Sequence, residues 1–90
     1  MKQIRLSKHA YENMQYRGAT EQEVFEAIET ADWGSAQQGR LECVKDFKYG
    51  QDWNNKHYET KSVRPIFIEE ANEIVVVTVY VYYFSGGKVK

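Results

Sequence analysis

The sequence predicts an α+β fold in a single domain over residues 1–90, running strand, helix, helix and then a three-stranded antiparallel meander (β-α-α-β-β-β), with the helix pair laid on one face of the sheet. Three features carry this expectation. The stretch TEQE from Thr20 to Glu23 is a capping box, the signature of a helix start. The segments HYETKSVRPIFIEE and EIVVVTVYVYYF are long and rich in β-branched and aromatic residues, and only Ala71 and Asn72 separate them. A chain of 90 residues holds one hydrophobic core and has no room for a second.

KQIRLS reads as a short strand ending at Ser7, which is placed to cap the helix that follows. In that helix Ala10 and Met14 form an apolar edge, and Gly18 supplies the stop. His9, Asn13 and Arg17, spaced by four, project from roughly one side. They are either the wet face of a helix or part of a site that handles phosphate. The second helix buries Val24 with Ile28 and Ala27 with Ala31, while glutamates near its start suit the positive end of the helix dipole. After Trp33, GSAQQG reads as loop, LECVKDF as an alternating strand and KYGQDWNN as a turn-rich connection. The final strand is apolar on both faces and is expected to be central. Pro65 cannot donate a ladder hydrogen bond, so an edge position or a bulge is expected there. Gly86 and Gly87 are expected to release the tail.

Composition narrows the class of function. The aromatic share of 14% and charged share of 28% fit a compact globular domain. Cys43 is alone and makes no internal disulfide, which suits a reducing cytoplasm, and its place in an alternating segment marks a buried structural thiol. The opening MKQIRLSKHA lacks the apolar core of a signal peptide, and IVVVTVYVYYF is too short and too β-branched for a membrane helix. A cytoplasmic location away from the membrane is the expectation. Net charge is −1, which argues against non-specific nucleic-acid binding. The charge is uneven, however: Glu21, Glu23, Glu26, Glu29 and Asp32 share one helix, and Lys45, Lys48, Lys56, Lys61 and Arg64 follow in the strands. An acidic helix and a basic sheet surface are therefore expected.

With Ala71 and Asn72 at the tip of the last hairpin, Glu69 pairs with Ile74. Ile66 and Ile68 then share a face with Val75, Val77, Val79 and Val81, the expected floor for the helices. Lys61, Val63 and Phe67 fall on the opposite, open face with Val76, Thr78, Tyr80 and Tyr82. A slip of one residue, or a bulge at Pro65, exchanges which of Lys61 and Arg64 looks outward.

The ordered set HAYENMQYRGATEQEVFEAI, KDF, WNNKHY, KSVRPIFIEE and IVVVTVYVYYF covers nearly the whole chain. It resembles the bacterial domain-of-unknown-function family 4258 (DUF4258), which opens with a strand and a histidine-alanine helix ending in Arg-Gly. In element order that family is similar to the RelE and BrnT toxins, small metal-independent ribonucleases of toxin–antitoxin pairs. The resemblance implies RNA as a ligand and an antitoxin-like protein as a partner. Many relatives carry an arginine where this chain has Asn13, so the resemblance implies that one phosphate-binding charge is missing here.

Metal-free RNA cleavage needs a base for the ribose 2′-hydroxyl, cations for the developing phosphorane and an acid for the leaving 5′-oxygen. Histidine titrates near neutrality, arginine presents a planar fork to phosphate oxygens and lysine offers a point charge. His9 is the acid–base candidate, with Lys61 and Arg64 as catalytic cations. Arg17, Lys56 and His57 are candidate phosphate ligands, and Tyr80 and Tyr82 suit base stacking or a phosphate hydrogen bond. Gly-rich phosphate loops, Cys-x-x-Cys and His-x-x-x-His pairs are missing, so neither a metal nor a cofactor is expected. The leading expectation is a toxin-like ribonuclease. The alternative is a non-catalytic domain on the same fold whose sheet edge or aromatic face receives a protein segment. A basic cleft holding both His9 and Lys61 would favour the nuclease.

Overall fold

The computed structural model describes residues 2–85, so the expected release at Gly86 and Gly87 lies outside the described residues. Strand β1 (Gln3–Leu6) leads into helices α1 (Lys8–Arg17) and α2 (Glu21–Thr30). Two short strands, β2 (Gly34–Ser35) and β3 (Leu41–Glu42), flank a single 3-10 turn over Gln37–Gly39. Three long strands follow: β4 (Lys45–Trp53), β5 (Lys56–Glu69) and β6 (Glu73–Phe84).

The helices form where their end signals stand. Ser7 accepts the Ala10 N–H at 3.0 Å and starts α1. Gly18 ends it in the left-handed region at φ 85°. A Cβ there would also lie 2.5 Å from the Tyr83 hydroxyl oxygen and 2.7 Å from the Trp53 ring, so glycine is required twice over. At the start of α2 the capping box is reciprocal: Glu23 N–H donates to Thr20 Oγ1 at 3.1 Å, and Thr20 N–H to Glu23 Oε1 at 3.0 Å.

The sheet runs β1-β6-β5-β3-β2, with β4 also paired to β5. The expected meander is its centre, β4-β5-β6, and both helices lie on one face. Four local readings need correction. LECVKDF breaks after Glu42 into β3 and β4, and GSAQQG contributes β2 rather than loop alone. KYGQDWNN is mostly strand: β4 continues to Trp53 through a register shift at Gly50 (φ 60°), and the reversal is confined to Asn54 and Asn55 (φ 52° and 69°). Positive φ at both central residues is the requirement of a two-residue type I′ turn, which asparagine tolerates. Finally, β6 is paired on both sides only over residues 74–76, where β1 runs parallel to it.

Pro65 sits in the interior strand β5, not at an edge. Its carbonyl accepts the Cys43 N–H at 3.4 Å, and in a ladder a residue's N and O point to the same side. Its missing donor therefore faces the break between β3 and β4. The bulge falls one residue further on: Ile66 pairs with Thr78 but Phe67 with Val76, leaving Val77 as the extra residue of β6.

This register corrects the expected faces. Glu69 does pair with Ile74, yet Lys61, Val63, Pro65 and Phe67 face the helices, together with Ile74, Val76, Val79, Val81 and Tyr83. Ser62, Arg64, Ile66 and Ile68 take the open face with Val75, Thr78, Tyr80 and Tyr82. Both rows of β5 contain two large apolar residues, so alternation alone does not choose between them. Packing does: Val63 and Phe67 are fully buried beneath Val24, Ala27 and Ile28, and Trp33 meets Phe67 edge-on at 4.9 Å.

The expected basic sheet surface forms only in part, with Lys48 exposed and Arg64 on the open face. Lys61 and Lys45 look toward the helices and pair with Glu23 (2.9 Å) and Glu26 (3.9 Å) of α2. The acidic helix is thus matched to its own sheet.

Helix α1 covers the outer edge of β6 where β1 stops, one of the standard ways of protecting unpaired strand groups. Ser7 N–H donates to the Val76 carbonyl at 3.0 Å, and Arg17 Nη1 to that of Val79 at 2.8 Å. Between them the buried Asn13 Oδ1 accepts the Thr78 hydroxyl and the Val79 N–H. Asn13→Ala is expected to lower stability by about 1–2 kcal/mol, because it leaves a buried N–H without its acceptor. Urea denaturation checks this; an unchanged midpoint would show that Val79 finds another partner.

Cys43 is 4% exposed, and burial pushes its thiol up to about 11. Iodoacetamide at neutral pH is expected to label it far more slowly in native buffer than in urea. Equal rates would contradict a buried thiol.

Candidate functional site

The open face brings a charged and aromatic group together through strand pairing alone. Glu42 of β3 lies opposite Ile66, Arg64 lies two residues along β5 on that same face, and Arg64 faces Tyr80 of β6. Arg64 donates from both Nε (3.2 Å) and Nη2 (2.5 Å) to Glu42 Oε1. The hydrogen bond to Glu42 is the main reason that the Arg64 pKa is raised. Glu42 Oε2 is left without a hydrogen-bond partner among the described residues. Arg64 Nη1 also donates to the Tyr82 hydroxyl at 3.3 Å.

Tyr80, 39% exposed, carries two guanidinium groups near its ring, with Arg64 at 5.4 Å and Arg17 at 5.3 Å from the centroid. Arg17 reaches there from the last turn of α1 because Val79, whose carbonyl it holds, neighbours Tyr80. Tyr82 and Phe84, both exposed, continue the aromatic row along β6. Below this row lies a groove of about 520 Å³, lined by Arg40, Glu42, Arg64, Ile66, Thr78 and Tyr80 and walled by the turn Ser35–Gln38.

Four expected site residues therefore meet: Arg17, Arg64, Tyr80 and Tyr82. The others do not. Lys61 is 4% exposed, donates to the Gly18 carbonyl at 2.9 Å, pairs with Glu23 and sits 5.1 Å over the Tyr49 ring. It ties the end of α1 to α2 and is turned away from the open face. His9 is exposed in the first turn of α1, eight residues and about 12 Å of helix rise from Arg17. Lys61 meets α1 at the opposite end, so the two do not flank a single phosphate. Lys56 and His57 lie at the β4–β5 hairpin, about 26 Å and about 23 Å along the strand from Arg64. There Lys56 covers the Tyr58 ring at 5.6 Å, and His57 lies between Asp52 (3.3 Å) and Glu59 (3.1 Å).

Sequence reasoning missed Glu42 and Arg40. Glu42 was one acid in an alternating strand, and Arg40 fell between a stretch read as loop and one read as strand; only the pairing of β3 with β5 makes them neighbours of Arg64. No ion pair holds Arg40 among the described residues. Also among the described residues, no cluster of three or more His, Cys, Asp or Glu is arranged to hold a metal ion, and no helix is long and apolar enough to cross a membrane. No known protein family, curated protein or solved structure matches the chain.

Proposed function

We propose that the protein is a small metal-independent endoribonuclease of the RelE and BrnT type, DUF4258-like, with its site on the open sheet face. One observation carries this reading: Glu42 keeps one oxygen on Arg64, has a second oxygen without a hydrogen-bond partner among the described residues, and lines a groove together with Arg40 and Tyr80. Glu42 replaces His9 as the base. Its carboxylate takes the proton of the ribose 2′-hydroxyl, the 2′-oxygen attacks phosphorus, and the bond to the 5′-oxygen breaks, leaving a 2′,3′-cyclic phosphate. Arg64, held by Glu42 and Tyr82, and Arg40 beside it offer donors to the non-bridging oxygens as charge develops. The Tyr80 hydroxyl is the candidate donor to the leaving 5′-oxygen and is reprotonated through Glu42 or water. The aromatic row supplies stacking surface for unpaired bases.

The test is incubation of the purified protein with unstructured RNA in EDTA, followed by analysis of the new 3′ ends. Cyclic phosphate ends are expected; failure of the folded protein to cleave varied RNAs would sink the nuclease reading. The second reading is then a domain that binds an antitoxin-like protein segment. It is favoured by the exposed Tyr80, Tyr82 and Phe84, and by the outer edge of β6 beyond Val79, which no strand pairs among the described residues.

A further inference from the structure

Across the Glu42–Arg64 pair from the main groove lies a second hollow of about 260 Å³, lined by Asp32, Trp33, Gly34, Cys43 and Val44 together with that pair. The salt bridge is thus a partition with a concavity on each side. We propose that the smaller hollow is a nucleobase subsite and that the base it selects is guanine; the inference rests on the ribonuclease reading above.

The geometry of a dinucleotide fits the partition. A phosphate held by Arg64 leaves one nucleoside on each side of it, and both hollows are lined by that arginine. The walls suit a flat ring. Trp33 is fixed, its Nε1–H donating to the Ile28 carbonyl at 2.9 Å and its ring set edge-on to Phe67. Val44, 51% exposed, provides an apolar wall that the core does not use. Gly34 pairs with Glu42 and so directs its missing side chain to the same face; a Cβ there would meet nothing within 4 Å. Gly34 therefore leaves its side of the hollow open.

Asp32 decides which base enters. A carboxylate only accepts hydrogen bonds, and its two oxygens match two adjacent donors. Guanine presents such a pair, N1–H beside the N2 amino group. Adenine and cytosine set one amino donor beside a ring acceptor, and uracil sets its single N–H between two carbonyls. These three meet a repulsive contact as well as a lost bond, which is how a site discriminates by penalty. A carboxylate near the phosphate also weakens binding of every nucleotide that does not compensate it.

The experiment titrates the four nucleoside 3′-monophosphates into the full chain and follows backbone amide shifts by NMR. Guanylate is expected to bind roughly five- to tenfold tighter than the others, the lower part of the range for a bidentate base contact because Asp32 is exposed. Its shifts should centre on Gly34 and Val44. Asp32→Asn should abolish the preference. Gly34→Val should crowd the hollow and weaken guanylate binding, with the fold intact because its φ is not positive and nothing opposes the added atoms. Equal binding of all four, preference that survives Asp32→Asn, or no binding at all would each overturn the inference. The ribonuclease reading is judged separately, by cyclic phosphate ends in EDTA.

Discussion

Glu42→Gln is expected to slow RNA cleavage by ~10²–10⁴, the usual worth of a positioned general base. Glutamine keeps the length and one oxygen for Arg64 but has no basic oxygen for the 2′-hydroxyl. The companion variant Arg64→Ala is expected to lose ~10²–10³, as removal of a donor to developing negative charge does. Neither change should cost much stability, since both side chains are about one-third exposed (28% and 35%), and a solvated pair contributes about 1 kcal/mol or less. Circular dichroism and a urea titration provide the control. Cleavage by Glu42→Gln at the wild-type rate would remove Glu42 as the base. Its loss together with the fold would mean that the pair is structural.

Lys61→Ala is expected to destabilise the protein by about 2–4 kcal/mol. Removing one partner of a buried ion pair typically costs ~3–5 kcal/mol, and Glu23, at 21% exposure, recovers part of that through water. The Gly18 carbonyl loses its donor as well, at the point where α1 ends under Tyr83 and Trp53. For a domain of this size the loss corresponds to roughly 10–25 °C in Tm. Lys61→Met, which retains the aliphatic stem, separates charge from packing and should still be clearly destabilised. Below its Tm it should cleave RNA as wild type does, because Lys61 lies across the sheet from the proposed site. A variant that stays stable but loses cleavage would return Lys61 to the site.

These two residues show how far sequence reasoning reached. Lys61 and Arg64 are both cations in one strand, three apart, and therefore on opposite faces. Alternation states that one of them is outward without saying which. The rows Lys61, Val63, Phe67 and Arg64, Ile66, Ile68 are almost equally apolar, and the choice fell to the volume that α2 and Trp33 fill above Phe67. Val77, the extra residue of the bulge, then moved Tyr80 and Tyr82 from the row of Lys61 to that of Arg64. Glu42 became a candidate base only because the two-residue strand β3 lands beside Ile66. No local signal announces that pairing.

What the sequence by itself determined was whatever a few neighbouring residues settle among themselves. Ser7, Gly18, Thr20 and Glu23 set the helix ends because their capping bonds span three or four residues. The two long β-branched runs set the final hairpin, including the pairing of Glu69 with Ile74, because a short turn leaves few registers. The tertiary structure alone decided which face of β5 is covered, where β6 bulges, and that Asn13 and Arg17 hold the edge of β6. Each of those outcomes depends on small free-energy differences between alternative packings of residues far apart in the chain. Such differences are summed over the whole core, and no window of sequence contains them.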